Sequence, residues 1–375
     1  MTFSVDTDSL RGLPRLLDRA GDDAQSSAKY LREHDDVAWH ADLAGLSVGT
    51  LLMLLKPYHD RVVDLVDGQL TFRLRDTVRG DADRVADTIT YYERTDAAAA
   101  ARADLTWPGA IRPDLLPVKP DPVVQTPAFA DTLEPTARLT PPPDHRGDLP
   151  HPMPVLKAGS FAEALRELVW QVTELGARLG LCDRPVDILE ELVRPVVGDW
   201  PALHACADVF RNIGAACADM GENLATNQLA IHWTWSGNAA DACREHLAGV
   251  ELSLQATDAR LRQIAAAYDR VASDVGALSQ KLGDALGHLA DLAAIALVEA
   301  EAAAITAPTG VGPLIFGSAA AADFYKFYKA MMLGFEIGKA IDILVHDFAH
   351  ELRGFASLDD PSTMPSVPVP PMLPA

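Results

Sequence analysis

The amino-acid sequence predicts an all-α protein, and composition and periodicity both support that fold class. Hydrophobic residues make up 49% of the chain but aromatic residues only 6%, a mixture that favours closely packed helices over aromatic-rich sheets. Apolar residues recur at helical spacing along most of the chain, and no stretch shows the alternation of a strand. We expect two long αα-hairpins that form a four-helix-bundle-like assembly, with accessory helices, a Pro-rich linker and a Pro-rich tail.

Proline divides the chain into modules. Of its 26 prolines, thirteen lie between Pro108 and Pro154 and six between Pro361 and Pro374. Since proline removes a backbone donor and favours extended backbone, the first cluster is typical of a linker and the second of a tail. The predicted divisions are an N-terminal helical hairpin at 1–107, a linker at 108–155, a long helical hairpin at 156–305, an amphipathic helical region at 306–358 and a tail at 359–375.

The N-terminal module contains two helical patterns. The first covers residues 10–31, with Asp8 as its expected N-cap. The second covers residues 51–92, with an interruption expected near Gly68. Each pattern has one apolar stripe that a single helix cannot bury, so we expect the two helices to pack against each other.

The second module begins with a short helical pattern at 161–179 and continues with three longer ones. Asp199 is the expected N-cap of a helix that leads to Gly237, and Asn238 is the expected N-cap of the helix that follows. The following helix has no proline until about residue 305, which gives a length of about 100 Å. A kink is expected in so long a helix, at one of the glycines Gly276, Gly283 or Gly287. A final amphipathic helix runs through residues 324–344.

The charge of the chain excludes several classes of partner. The formal net charge of −21 argues against nucleic acid and against anionic membranes, because both would repel the protein. The first residues carry acids and no apolar segment, so we expect no cleavable signal peptide. The most apolar stretch, APTGVGPLIFGSAAAADF, is interrupted by proline, glycine and Asp323. No segment therefore reaches the roughly 18 consecutive apolar residues of a membrane span.

The stretch IHWTWSG, residues 231–237, lies where one long helical pattern ends and the next begins. Gly237 can adopt a left-handed conformation or allow a close approach of backbone. Trp233 and Trp235 can lie across the end of the helix pair and cover its apolar surface. From residue chemistry alone, the two tryptophans seal the end of a bundle.

Trp235-Ser236-Gly237 between two long helices resembles the Trp-x-Gly (WXG) family, which is exported by type VII (ESX) secretion systems of actinobacteria and related bacteria. The resemblance extends over the hairpin GDWPAL…WTWSGNAADACREHLAGV. The N-terminal module resembles the small ESX secretion-associated proteins of the excreted-virulence-factor type, through its opening MTFSVDTDSLRGLPRLLDRAGDDA and its closing DADRVADTITYYERTDAAAAARAD. Its loop departs from the family pattern, with Trp39-His40-Ala41 in place of Trp-x-Gly.

The closing stretch of that module contains Tyr92-Glu93-Arg94-Thr95-Asp96, which fits the Tyr-x-x-x-Asp/Glu export signal of this secretion system. At a spacing of four residues, Tyr92 and Asp96 would share one face of a helix. In the family, paired hairpins place one partner's Trp-x-Gly near the other partner's Tyr-x-x-x-Asp. The resemblance therefore implies an intramolecular pseudo-dimer, with a composite signal formed by Tyr92, Asp96, Trp235 and Gly237.

The resemblance implies a non-enzymatic secretion substrate or secretion-associated protein that has no cofactor and binds the type VII machinery, an ATPase or a chaperone. Such a protein is cytoplasmic before export and secreted or cell-surface afterwards. A helical partner or a homo-oligomer stays open, as does pairing of the hairpins within or between chains. The alternatives are a membrane-active or partner-binding effector that uses the hydrophobic region 305–345, and a small toxin.

Patterns that would support catalysis or metal binding are sparse. The stretch TGVGPLIFG lacks the Gly-Lys-Ser/Thr of a phosphate loop. About 50 helical residues follow residue 305, too few for most catalytic domains. The side chains of zinc-ligand type are better explained as buried thiols and surface histidines: Cys206, Cys217, Cys243, His204 and His246.

Two further features stay open or have a simpler explanation. The chain has four cysteines, counting Cys182, too few for a disulfide framework, although a pair in an oxidising compartment stays open. A second set of metal-ligand residue types is better explained as a solvated helix face: His346, His350, Asp342 and Asp347.

Overall fold

The computed structural model describes residues 3–39, 49–107, 129–145, 159–178, 180, 182–306, 312–356 and 365–368. Helices dominate these residues, so the predicted all-α class is confirmed. The α-helices are α1 (Thr7–Leu10), α2 (Gly12–His34), α3 (Thr50–Gly68), α4 (Asp76–Arg94), α5 (Ala97–Asp104), α6 (Gly159–Arg178), α7 (Arg194–Val196), α8 (Ala202–Thr234), α9 (Asn238–Thr306) and α10 (Gly312–Phe355).

The interruption predicted near Gly68 takes the form of a π-helical segment. Helix α3 ends at Gly68, Gln69–Arg75 is π-helical, and α4 continues from Asp76. The wider turn brings the buried Gln69 side chain to the C-terminal tail, where its amide donates a hydrogen bond of 2.8 Å to the carbonyl of Pro365. Helix α2 packs against α4, against the π-helical segment and against α8.

The long helices of the second module pack in sequence order, α8 against α9 and α9 against α10. Helix α9 contains 69 residues, which corresponds to a length of about 100 Å. The helix continues without a break through Gly276, Gly283 and Gly287, the three glycines at which we expect a kink. Helix α10 also contacts α3, so the N-terminal module packs against both long helical pairs.

The sequence pattern missed a two-stranded antiparallel sheet. Strand β1 (Ser4–Val5) pairs with strand β2 (Trp235–Ser236), with Ser4 opposite Ser236 and Val5 opposite Trp235. Two residues cannot show the alternation by which a strand is recognised, so no local signal was present.

The expected cap Asp8 is wrong. Asp6 rather than Asp8 caps α1, since its carboxylate accepts the N–H of Ser9 at 3.1 Å. At the start of α8, the carbonyl of the buried Asp199 accepts the N–H of Ala202 at 3.1 Å. Carboxylates near a helix start are common, and local spacing alone does not say which one accepts the hydrogen bond.

The described part of the predicted linker is fixed to α8. Asn227 exchanges hydrogen bonds with the backbone of Ala130, and Asn223 accepts the N–H groups of Thr132 and Leu133 at 2.9 Å each. A 3-10 turn at Pro135–Arg138 follows, with Pro135 buried. The other parts of the predicted linker, 108–128 and 146–155, lie outside the described residues, as do most of the tail and the Trp39-His40-Ala41 loop after Trp39.

A buried histidine–tyrosine pair joins the two modules in the core. The carbonyl of Asp35 can only accept a hydrogen bond, so the Nε2 of His59 carries the proton and donates at 2.8 Å. The Tyr268 hydroxyl donates to His59 Nδ1 at 2.7 Å. The Tyr268 ring contacts Phe210 and Phe348, at centroid distances of 5.5 and 5.0 Å, so α3, α8, α9 and α10 meet at this point.

This pair predicts a pH-dependent stability. Burial lowers the pKa of His59 to about 4, from an ordinary value of 6.5. Between these two values the unfolded state binds a proton that the folded state does not, so the free energy of unfolding falls as the pH falls from 6.5 to 4. The loss from His59 approaches about 3 kcal/mol, at about 1.4 kcal/mol for each pKa unit.

Urea unfolding of the wild type and of His59→Gln at several pH values across this window measures the effect. A glutamine can still donate and accept but cannot be protonated, so His59→Gln should be less stable at pH 7 and lose less stability on acidification. His346→Gln, at an exposed position, is the matched control and should keep the wild-type dependence. Equal pH dependence in the wild type and His59→Gln would contradict the prediction.

Candidate functional site

The candidate site is the turn between α8 and α9, where Gly237 has a backbone conformation that favours glycine. Helix α8 ends as Trp235 becomes extended, and Gly237 has a φ of 136°. A Cβ atom on Gly237 would lie 2.6–2.8 Å from the carboxylate atoms of Asp104. Both backbone conformation and lack of space therefore require glycine at this position.

The Asp104 carboxylate caps helix α9, although it belongs to α5 in the N-terminal module. Its Oδ2 accepts the N–H of Asn238 and its Oδ1 accepts the N–H of Ala239, both at 2.9 Å. A carboxylate is favourable there because the N-terminus of a helix carries partial positive charge. The predicted cap, Asn238, instead donates from its side chain to the carbonyl of Trp107 at 3.2 Å.

The N-terminal strand closes the other side of the turn. The N–H of Asp6 donates to the carbonyl of Thr234 at 2.7 Å, and the Ser4 and Ser236 hydroxyls lie 2.7 Å apart. These contacts satisfy a carbonyl at the C-terminus of α8 and hold Trp235 in extended conformation between Val5 and the core. Residues that precede the first helix therefore belong to the site.

Tyr92 and Trp235, predicted to form part of a composite signal, contact each other within this one chain. Their ring centroids lie 6.1 Å apart with an edge-to-face angle of 70°, and Phe3 lies 5.3 Å from Tyr92. Burial raises the pKa of Tyr92 to about 12. The indole N–H of Trp235 is buried beside Tyr92, at a geometry that falls short of a hydrogen bond. Trp233, half-buried in the last turn of α8, is also placed at this end of the molecule.

The expectation that Tyr92 and Asp96 share a helix face is wrong. Helix α4 ends at Arg94, Thr95 is extended, and Asp96 is the N-cap of α5, where its carboxylate accepts the N–H of Ala99 at 2.8 Å. Aspartate prefers the N-cap to a helix interior, and the alanine-rich sequence that follows starts a new helix. Tyr92 is half-buried and points to Trp235, whereas Asp96 is exposed to solvent.

A cleft of about 490 Å³ lies beside the turn, between α4, α5 and α9. At its wall His246 Nε2 lies 2.7 Å from Asp81 Oδ2, and both side chains are buried. Cys243 also lines the cleft, and burial raises the pKa of its thiol to about 12. The cysteine is therefore a protonated, weakly nucleophilic side chain near neutral pH.

The other candidate ligands of a metal are separated from this cleft. Cys206 and Cys217 are buried in α8, and His204 pairs with Asp269 at 2.7 Å. His346 pairs with Asp342 on its own helix, at 3.3 Å. All four cysteines are free, and within the described part of the chain no cluster of three or more His, Cys, Asp or Glu residues is arranged to hold a metal ion.

Comparison with models of protein families, with curated proteins and with solved structures gives no match to this chain. Among the described helices, none combines the length and the apolar character that crossing a membrane requires. The site is therefore characterised by its own geometry. Asp104 and Trp107 contribute to it without any signal in the sequence pattern, because their contacts with α9 span more than a hundred residues.

The contact of Asp104 with the turn predicts a coupled stability effect. Asp104→Ala leaves the N–H groups of Asn238 and Ala239 without their acceptor and should lower the free energy of unfolding by about 1–3 kcal/mol. Gly237→Ala should also destabilise, because its Cβ atom meets the Asp104 carboxylate. The double variant should lose less than the sum of the two, since the first change removes the atoms with which the second collides.

Urea unfolding of the four proteins in this cycle measures the coupling. Gly287→Ala is the matched control, because a Cβ atom there meets no atom within 4 Å and alanine favours the helix. It should be neutral or stabilising. Additive effects of Asp104→Ala and Gly237→Ala would contradict the proposed contact.

Proposed function

We propose that this protein is a non-enzymatic substrate or secretion-associated factor of a type VII (ESX) secretion system, recognised at the end of the molecule where Tyr92 meets Trp235. The contact between these two rings carries the proposal. In the family, the Trp-x-Gly and the Tyr-x-x-x-Asp come from two paired chains, whereas here Tyr92 and Trp235 of one chain are in contact.

The burial of each residue suggests separate roles in recognition. Trp235 is 3% exposed, so it holds the surface together rather than touching a partner directly. Tyr91, which lines the same cleft as Trp235, and Asp96 at the start of α5 are exposed, and on this proposal they offer a ring and a charge to an ATPase or chaperone of the machinery. On this proposal the protein is cytoplasmic before export and leaves the cell folded, to become secreted or cell-surface.

A membrane-active or partner-binding effector is the second candidate function, favoured by one observation. Helix α10 exposes the apolar side chains of Tyr325, Met332 and Ile343. Its opposite face is buried, as at Phe327 and Ile341. In the described part of the region 305–345, only that face packs against the rest of the protein. Leakage of liposomes that depends on the three exposed side chains would favour this candidate.

A small toxin would need an activated group in a pocket. The cleft does bring together the residue types expected of one, His246, Asp81 and Cys243. The thiol, however, is held in its protonated form by burial, and His246 is paired with Asp81. An activated nucleophile is therefore absent from these three groups, and we do not propose this function.

Export from a host with a working type VII system tests the first proposal. The wild type should appear in the culture filtrate, whereas Tyr92→Ala and Trp235→Ala should stay in the cell at normal abundance, because both disturb the recognised surface. Trp170→Ala, a partly exposed tryptophan on α6 outside the cleft, is the matched control and should be exported. Retention of the wild type in the cell would overturn the proposal.

Asp96 can be tested separately for its charge and for its cap. Asp96→Ser keeps an N-capping oxygen and removes the charge, whereas Asp96→Ala removes both. If the machinery recognises the carboxylate, both variants should be retained in the cell. Export of Asp96→Ser at the wild-type level would show that the charge is not recognised.

A further inference from the structure

The cleft beside the turn has the size and shape of a small-ligand site. Its volume of about 490 Å³ falls within the range of roughly 300–1,000 Å³ that is typical of such sites. Its walls are formed mainly by α4, α5 and the first turns of α9, and Leu17 of α2 and Trp235 of β2 also line it. Because Asp104 fixes α5 to α9, the walls are held in place without a ligand.

Four aromatic side chains line this cleft, in a chain that is only 6% aromatic. They are Tyr91, Tyr92, Trp107 and Trp235. Ala103, Ala242 and Leu247 add apolar surface to the lining. The interior therefore suits an apolar group, and the faces of the rings also attract a cation.

The charges around the cleft favour a cation over an anion. Arg84, the one arginine of the lining, pairs with the Asp81 carboxylate at 3.3 Å, and His246 Nε2 lies 2.7 Å from the same carboxylate. Asp87 is exposed at the cleft, and the described residues include no ion pair for it. It lies one helical turn before Tyr91, so a carboxylate and an aromatic ring occupy the same face of α4.

We propose that this cleft binds a small organic cation with an apolar body, such as an alkylammonium compound. The apolar part lies among the aromatic and alanine side chains, and the cationic head lies at Asp87 and Tyr91. The cleft shares Tyr91, Tyr92 and Trp235 with the surface of the export proposal, but binding to the purified chain can succeed or fail independently of export.

Calorimetric titration of the full chain with hexyltrimethylammonium tests the proposal. Hexanoate has a similar tail and the opposite charge, and it should show no binding up to about 10 mM. Tetramethylammonium has the head without the tail and should bind at least about tenfold more weakly than hexyltrimethylammonium. Equal affinity for hexanoate and hexyltrimethylammonium, or no heat from the latter up to about 10 mM, would overturn the proposal.

Three variants locate the binding. Asp87→Asn should weaken it about fivefold, and Ala242→Leu should abolish it by filling the cleft while preserving a good helix former. Asp83→Asn is the matched control, because it removes the same charge from an exposed position of α4 outside the cleft, and it should change the affinity less than about twofold. Circular dichroism checks that each variant is folded.

Two outcomes with these variants would also overturn the proposal. Equal weakening by Asp83→Asn and Asp87→Asn would attribute binding to the overall negative charge of the chain. Unchanged binding by a folded Ala242→Leu would place the ligand outside the cleft.

A peptide that carries lysine side chains tests whether the cation comes from a protein or from a small molecule. The proposal expects the peptide to bind more weakly than hexyltrimethylammonium.

Discussion

The arrangement of the two modules depends on one interaction, the hydrogen bonds that the Asp104 carboxylate accepts from the first N–H groups of α9. Helix α9 packs against α6, α8 and α10, so the place where it begins determines the register of the second module. The cap comes from the N-terminal module, 134 residues earlier in the chain. The two modules are therefore joined by a buried polar contact at one end of α9 and by the His59–Tyr268 pair further along it. These two buried contacts stabilise the fold because, within each of them, the donor has its acceptor.

The opposite demands of tryptophan and glycine in the turn are resolved by two different neighbours. The indole of Trp235 fills the space between Tyr92 and the core, where only a large ring would exclude water. Two residues later, the bare backbone of Gly237 admits the Asp104 carboxylate, where any side chain would displace it. The N-terminal strand then pairs with Trp235 and satisfies the carbonyl of Thr234. Within three residues, the turn therefore needs the large ring of Trp235 and the missing side chain of Gly237.

Much of the fold follows from periodicity, whereas the site depends on contacts that periodicity cannot show. The interruption at Gly68 and the proline-free helix up to residue 306 were predictable, because a helix repeats its apolar positions over many turns. The cap by Asp104, the strand pairing of Val5 and the hydrogen bonds of His59 join residues far apart in the chain, and no local pattern encodes them. At Asp96, by contrast, a local interaction decides the structure. Its carboxylate caps α5, so the helix is interrupted between Tyr92 and Asp96, whereas the Tyr-x-x-x-Asp motif assumes a continuous helix.

Two explanations of Trp235 are compatible with its packing: it seals the end of the helix pair, and it supports a surface that an export partner recognises. A ring that is 3% exposed cannot itself make a large contact with a partner, so any recognition at this end must use the surface that the ring supports. That surface includes Tyr91, whose ring contacts Tyr92, and Asp96, which begins the helix that carries Asp104. On the proposed function, loss of Trp235 acts by moving these exposed groups, so its effect on recognition and its effect on stability have one physical cause.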